Sequence, residues 1–583
     1  MTDLVEFTDA ADRRLALGAS GLLRTFNEAG VLTSADVHVA TRLARLAGEP
    51  DDRVHLAAAL ATRAVRHGSV GVDLRTVGEA APELPWPEAA GWLSAVTTSP
   101  LLGQGVLSHE FDLLYLDRYR RLEEQLCADL RARLDRDPPV VDTSALDAGL
   151  RRVFPGDTYD EQRTASRLAA GAWTTVLTGG PGTGKTTTVA GLLALLAEQA
   201  ELAGQPRPRI ALTAPTGKAA ARLQGAVAEA TAALGDPADR VRLGTLDAVT
   251  LHRLLGTRRD NGTRFRHHRG NRLPHDVVVV DESSMVSLTL MTRLVEAVRP
   301  DARLLLVGDP DQLASVEAGA VLADLVAGLS GRRSTPVAQL VTTHRFGAEI
   351  GRLSAALRDG DADVVVQVLR SGARGIEFVE TDDAAGVLRP GLVQAAVQLH
   401  AHAEAGRTEE AVAALDRHRL LCAHREGPYG VAHWNRQVEH WLAEATGEPL
   451  YEPMYVGRPL LVTANDYGLG VSNGDAGVVV RTADGPRAIV SGAHGLADFA
   501  TSRMSDVETM FATTIHKSQG SQAAEVTVLL PPPDSRLLTR ELFYTAVTRA
   551  ERTVRVVGTE DAVRAAVERR ALRASGLRQR LRP

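Results

Sequence analysis

Apolar residues follow two different rhythms along this chain. Up to about residue 140 they are spaced through polar stretches at helical intervals, as in 37–46 and 113–134, and predict helices of mixed polarity. Consecutive prolines in Asp137-Pro138-Pro139 stop a helix and stiffen the chain, which marks a hinge. From about 150 the pattern changes to short apolar runs alternating with helical segments: Val176-Leu177, 210–213, 277–280 and 304–307. Strands apolar on both faces belong in a parallel sheet covered by helices on either side. A second region of the same kind holds 420–423, 526–530 and 554–557. Between its strands, 451–505 is rich in valine, glycine and turn residues such as Asn473-Gly474-Asp475, and predicts a small antiparallel β insertion. The fold class expected is α/β.

Composition narrows this picture in three places. A length of 583 residues exceeds what one core organises, so about three or four domains are expected. No apolar run approaches the roughly 18 residues of a membrane span, and the acidic start, Met1 to Glu6, is not followed by a signal-peptide stretch, so a cytoplasmic protein without membrane association is expected. Two distant cysteines, Cys127 and Cys422, argue against a disulfide framework, a four-cysteine zinc site or an iron–sulfur cluster. The net charge of -6 decides nothing, because a basic groove can sit in an acidic protein. The lysines say more. Of 66 basic residues only Lys185, Lys218 and Lys517 are lysine, and each sits in a short motif: GTGKT, APTGKAA and IHKSQG. A compact ammonium does what a planar guanidinium cannot, so these are three candidate sites.

Gly179, Gly180, Pro181, Gly182, Thr183, Gly184, Lys185 and Thr186 match the phosphate-loop pattern between a strand at 175–178 and a helix opening at Thr187. Backbone amides of such a loop curl round a polyphosphate and the helix N-terminus adds favourable partial charge. Lys185 would reach the β- and γ-phosphates, and Thr186 would ligate Mg²⁺. Asp281 and Glu282 end the buried strand at 277–280; Asp281 would hold Mg²⁺ through water and Glu282 would polarise the attacking water. ATP and Mg²⁺ are the ligands expected. Gln312, in Gly308-Asp309-Pro310-Asp311-Gln312-Leu313, can sense the γ-phosphate and couple it to a DNA groove. Arg345 and Arg549 are candidate arginine fingers, which in other NTPases supply roughly 10³–10⁵ in rate.

The ordered set GPGTGKT, APTGKAA, TLHRLL, VVVVDESSM, GDPDQLASV, THRF, TTIHKSQGSQ and YTAVTRA resembles the superfamily 1 helicase motifs, across about 160–560. Stretches such as 211–223, 424–430, Trp434-Asn435, Gly457-Arg458-Pro459, Asn465-Asp466 and 473–477 are similar to its RecD-like branch. The resemblance implies two RecA-like P-loop domains, at 141–335 and 336–583, with the β insertion at 451–505 as a small barrel-like unit in the second. It also implies a helical N-terminal partner-docking domain at 1–140. It makes Gln162 the adenine-reading glutamine and places Pro215, Thr216, Lys218, His252, Thr514, His516, Lys517 and Gln519 on DNA. It further implies 5′–3′ movement on single-stranded DNA, entry from duplex ends, and RecB-like and RecC-like subunits in a heterotrimer acting in break repair and recombination.

Three rival readings stay in view. A stand-alone RecD-like helicase would carry a longer N-terminal extension. A nucleotide-switched binding module would need neither arginine finger. A conjugative relaxase would need a histidine cluster and nucleophilic tyrosines near its start. The nuclease core associated with that branch ends in a catalytic lysine, and all three lysines here are committed to helicase motifs, so no nuclease site is expected. The basic run 264–272 is read as a solvated loop, with a bracing contact to DNA or a partner as the alternative.

Overall fold

Valine dominates the strand that anchors the first half of the molecule: Val277–Val280 is buried at every position, and β-branched side chains suit a strand packed on both faces. In the computed structural model, which describes residues 12–582 apart from 259–260, 333–334, 344–347, 467 and 493–494, this strand is central to a six-stranded sheet. The order is Val337–Leu340, Thr174–Gly179, Arg303–Gly308, Val277–Val280, Ile210–Ala214, Ala248–Thr250, every pair parallel. Val337–Leu340 pairs with Thr174–Gly179, so the first sheet continues past residue 335.

The second lobe repeats the plan with five parallel strands in the order Ile376–Glu380, Ala550–Gly558, Ala523–Leu529, His418–Cys422, Ala512–Thr514. Two parallel α/β lobes and the antiparallel insertion match the expected fold class. The insertion is a five-stranded sheet, Gly495–Ala500, Gly485–Gly492, Ala476–Thr482, Pro459–Val462 and Val507–Thr509, with antiparallel neighbours throughout.

The N-terminal region is helical with one correction. Residues 113–134 were expected to form a single helix, yet Leu113–Leu116 is a strand and the helix is Asp117–Leu134. Leu107–Glu110 and Leu113–Leu116 form a hairpin whose turn, Phe111-Asp112, has φ of 53° and 61°. That left-handed pair matches the right-handed twist of the strands, although it lacks the Asn-Gly or Asp-Gly signal.

The helix Asp117–Leu134 is part of the first lobe's core. Its Leu122, Leu126 and Leu130 pack with Val278, Val280, Met291, Leu294 and Leu306 beneath the first sheet. Each such leucine gains about 1.5–3 kcal/mol from burial. Arg133 then donates to Thr174 Oγ1 at 2.8 Å and to the carbonyls of Trp173, Arg299 and Ala302. The chain's last helix, Leu577–Leu581, joins the same core. It is reached from the second lobe by a crossing segment in which Arg573 donates to the carbonyls of Ser315 and Glu317, and Ala574 pairs with Ser69 and Val70. Cys127 and Cys422 are buried free thiols in separate cores. No described helix is long and apolar enough to cross a membrane.

Candidate functional site

The phosphate loop joins the strand Thr174–Gly179 to the helix Lys185–Leu202. Gly182 and Gly184 take φ of 79° and 84°, which a side chain would resist, and so the loop's amides turn inward. A Cβ on Gly179 would lie 2.6 Å from Thr183 Oγ1 and 2.9 Å from Leu340 O, so the loop's root is closed to any larger residue. Thr183 braces the loop by donating to Gly180 O, and Lys185 Nζ donates to the carbonyls of Gly179 (2.6 Å) and Gly180 (2.9 Å). Gln162, buried behind the loop, donates to Thr183 O at 3.2 Å.

A cleft of about 460 Å³ opens over this loop. Pro181, Gly182, Gly184, Lys185, Thr186 and Thr187 line one side, Asp281 and Glu282 the floor, and Gln312 and Arg549 the far wall. Of the expected nucleotide-site residues, Gly179, Gly180, Thr183 and Gln162 support the loop from behind, and Arg345 lies outside the described residues. Burial, and then the charge of Glu282, push the Asp281 carboxyl above the usual carboxylate range. Glu282 has φ 49° and ψ 41°, a left-handed conformation costing about 1–3 kcal/mol, held where the acidic side chain faces the cleft. Arg549 is fully within the protein; burial draws its guanidinium below its ordinary value, and its NH2 donates to Gln312 Oε1 at 2.9 Å.

Sequence reasoning missed Arg222, Asp309, Gln522 and Tyr544 here. Arg222 lines the cleft from the helix Gly217–Ala232 and donates to Gln522 Oε1 of the second lobe at 2.5 Å. Asp309 and Tyr544 stand inside recognised motifs, so motif membership was the available signal. Arg222 is one arginine among many, and nothing in composition marks it.

A second cleft, of about 320 Å³, lies between the two lobes and the insertion. Pro215, Thr216, Lys218, His252, His516, Lys517 and Gln519 all line it, seven of the eight residues assigned to DNA. Thr514 does not: it is buried, and its Oγ1 accepts from Lys517 N at 3.2 Å, which shapes the turn instead. Burial, followed by repulsion from Arg419, lowers the Lys218 ammonium to about 8. Burial, then Arg573, lowers His516. Lys517 Nζ pairs with Glu508 at 2.7 Å. Asn465, Ser472 and Asn473 complete the wall from the insertion, and these were not assigned in advance. Gly217 permits the approach, since a Cβ there would lie 2.6 Å from Ser472.

The basic run is largely spent on structure. Phe265 is buried against the first core, its ring 5.9 Å from His252; Arg269 pairs with Asp129 at 2.7 Å, and Arg272 donates to Val298 O. Arg264 and Arg266 remain exposed.

Comparison with known proteins places this architecture. The family models described as "RecBCD enzyme subunit RecD, N-terminal domain", "AAA domain" and "UvrD-like helicase C-terminal domain" match residues 28–110, 157–380 and 509–557. The RecBCD enzyme subunit RecD of Mycobacterium tuberculosis is 63% identical over 577 residues, covering 98% of both chains. The chain belongs to the RecD family. The RecBCD enzyme subunit RecD of Mycolicibacterium smegmatis is 62% identical over 567 residues, 96% of this chain and 99% of the relative. The ATP-dependent RecD2 DNA helicase of Deinococcus radiodurans is 29% identical over 496 residues, covering 83% of this RecD-family chain and 61% of the relative. Among solved structures, a Pif1 helicase from Candida albicans aligns at a TM-score of 0.38 and 15% identity, over 68% of this chain and 94% of that one. As a RecD-family protein the chain carries ATP-dependent DNA helicase activity.

Proposed function

We propose that this RecD-family chain is the 5′–3′ DNA-translocating motor subunit of a RecBCD-type helicase–nuclease complex. It works in double-strand break repair and recombination in the cytoplasm, with RecB-like and RecC-like subunits as partners, and it contributes no nuclease site of its own. The observation that carries this is the pairing of two clefts across the same two lobes, one lined by the phosphate loop, Asp281 and Arg549, the other by Lys218, His516 and Lys517.

The nucleotide cleft fits ATP with Mg²⁺. Gly179 at the root of its loop leaves room only for backbone, Asp281 and Thr186 line the same cleft, and Glu282 is held in a strained conformation facing it. Lys185 and the loop amides would hold the phosphates, and Thr186 and Asp281 the metal. Bound Mg²⁺ supplies charge neutralisation on the β- and γ-phosphates. Glu282 orients the attacking water, and Arg549, from the opposite lobe, meets the charge that develops in turnover. Because Arg549 acts across the cleft, turnover requires the lobes to close, and contacts made only in the closed state shift the population toward it. In the second cleft, ammonium, hydroxyl and amide donors suit phosphate and read no sequence. The three lysines lie in these two clefts, which supports assigning any cutting to a partner.

Strand displacement by the purified full chain tests the reading, with labelled duplexes carrying a 5′ or a 3′ single-stranded tail. Unwinding from the 5′ tail alone, with every labelled strand at full length, is expected. Unwinding from the 3′ tail would overturn the polarity, and Mg²⁺-dependent shortening of the strands would overturn the absence of a nuclease site.

A further inference from the structure

Hydrogen bonds from the second lobe converge on one short stretch of the first, Asp309 to Leu313. Tyr544 OH donates to Asp309 Oδ2 at 2.9 Å, Arg549 NH2 donates to Gln312 Oε1 at 2.9 Å, Leu313 N donates to Thr545 Oγ1 at 2.9 Å, and Gln519 Nε2 donates to Leu313 O at 2.8 Å. Tyr544 and Thr545 sit on the helix Arg540–Val547, whose start is capped by Thr539. The helix therefore presents two of the four groups, and Arg549 lies just past its C-cap, Thr548.

The polarity of this network is set at Asp309. Its Oδ2 accepts twice, from Tyr544 OH and from Gln312 Nε2 at 3.0 Å. A carboxylate can accept only from the nitrogen end of an amide, so the oxygen end of Gln312 faces away, and there it meets Arg549. All four side chains are buried, where such bonds are strong and a misdirected partner is costly. Burial, and then the Asp309 charge, hold the Tyr544 phenol well above its ordinary value, so it stays a donor. The stretch also touches both clefts: Asp309 and Gln312 line the nucleotide side, and Gln519, bonded to Leu313, lines the other.

We infer that Tyr544 is a positioning residue for ATP turnover: its hydroxyl fixes the Asp309 carboxylate, which turns the Gln312 amide toward Arg549 and so sets the geometry through which Gln312 couples the two clefts. The inference rests on the DNA-motor reading above. It assigns to Tyr544 no contact with nucleotide or DNA, only control of Gln312, the one side chain across the cleft, among the described residues, that accepts from Arg549; the other donors of Arg549 go to the carbonyls of Thr545 and Ser521.

The test is steady-state ATPase of the full chain with and without an oligothymidylate strand, for wild type, Tyr544→Phe, Asp309→Asn and the double variant. Phenylalanine keeps the ring in its core and removes only the donor. Tyr544→Phe is expected to stay folded at the assay temperature with a lowered melting temperature, to keep its ATP KM, and to lose about tenfold in DNA-stimulated kcat, the rate factor that corresponds to about 1.4 kcal/mol. Because both residues act through one carboxylate, the double variant should be no slower than Asp309→Asn alone. A DNA-stimulated kcat equal to wild type in Tyr544→Phe, a defect confined to KM, or losses that multiply in the double variant would each overturn this positioning role. A wild-type chain whose ATPase ignores the oligonucleotide would sink the motor reading itself, and the positioning role with it.

Discussion

Lys185 and Lys218 are the same residue type in two settings, and the settings give them different tests. Lys185 is held across the phosphate loop by the carbonyls of Gly179 and Gly180. Its replacement by glutamine keeps a donor and removes the charge, so Lys185→Gln should fold normally by circular dichroism and lose at least about 10²–10³ in ATPase kcat, the usual cost of deleting one charge-stabilising donor. Lys218 lies in the second cleft with its ammonium lowered to about 8, first by burial. A depressed lysine is charged below that value and neutral above it, so the phosphate contact proposed for it should be strong at pH 7 and weaker at pH 9. The slope of log affinity for single-stranded DNA against log salt should then flatten by about 0.7 between those pH values. Lys218→Arg stays charged throughout and should keep the slope constant. Residues like these were legible because lysine is so scarce that each occurrence is informative. Arg222 was not, because it is marked only by Gln522 facing it from the second lobe, which sequence spacing does not report, and Tyr544 was marked only by its place inside a motif.

Local elements were readable where one pattern dominated and misread where two competed. The apolar strands at 277–280 and 304–307 were found within a residue because continuous burial leaves few alternatives. Leu113–Leu116 was assigned to the following helix, since four apolar residues ahead of an amphipathic stretch extend its period, and the Phe111-Asp112 turn gives no glycine signal. Val337–Leu340 was expected beyond the first lobe but pairs within it. The last helix was not anticipated at all, and it bears weight. Leu581 is fully buried against Gly328, where a Cβ would lie 2.7 Å from the leucine's own. Glu123 anchors the approach by accepting from Ser575 Oγ and Gly576 N. Leu581→Ala leaves a cavity in a contact this close and should cost about 2–5 kcal/mol. The measurement is the lowest-temperature calorimetric transition, with limited proteolysis to show that the crossing segment near Arg573 is released first. An unchanged first transition would mean that the helix is dispensable to the first lobe.

At the scale of the whole molecule, the number and type of lobes followed from alternating strand and helix patterns, whereas their mutual attachment did not. Sheet order depends on pairings between strands far apart in sequence, and no local rhythm encodes which lobe the chain's end rejoins. That end leaves the second lobe after its last long helix, Glu560–Glu568, and enters the first lobe's core at Leu577–Leu581. The chain had already crossed once in the other direction, after Val337–Leu340. The second lobe is thus fastened to the first at both of its ends. A body tied at one point can swivel in any direction, but one tied at two can turn only about the line between them. Two attachments leave the second lobe fewer ways to swing than one would, so opening and closing of the nucleotide cleft should be biased toward rotation about the line that joins them.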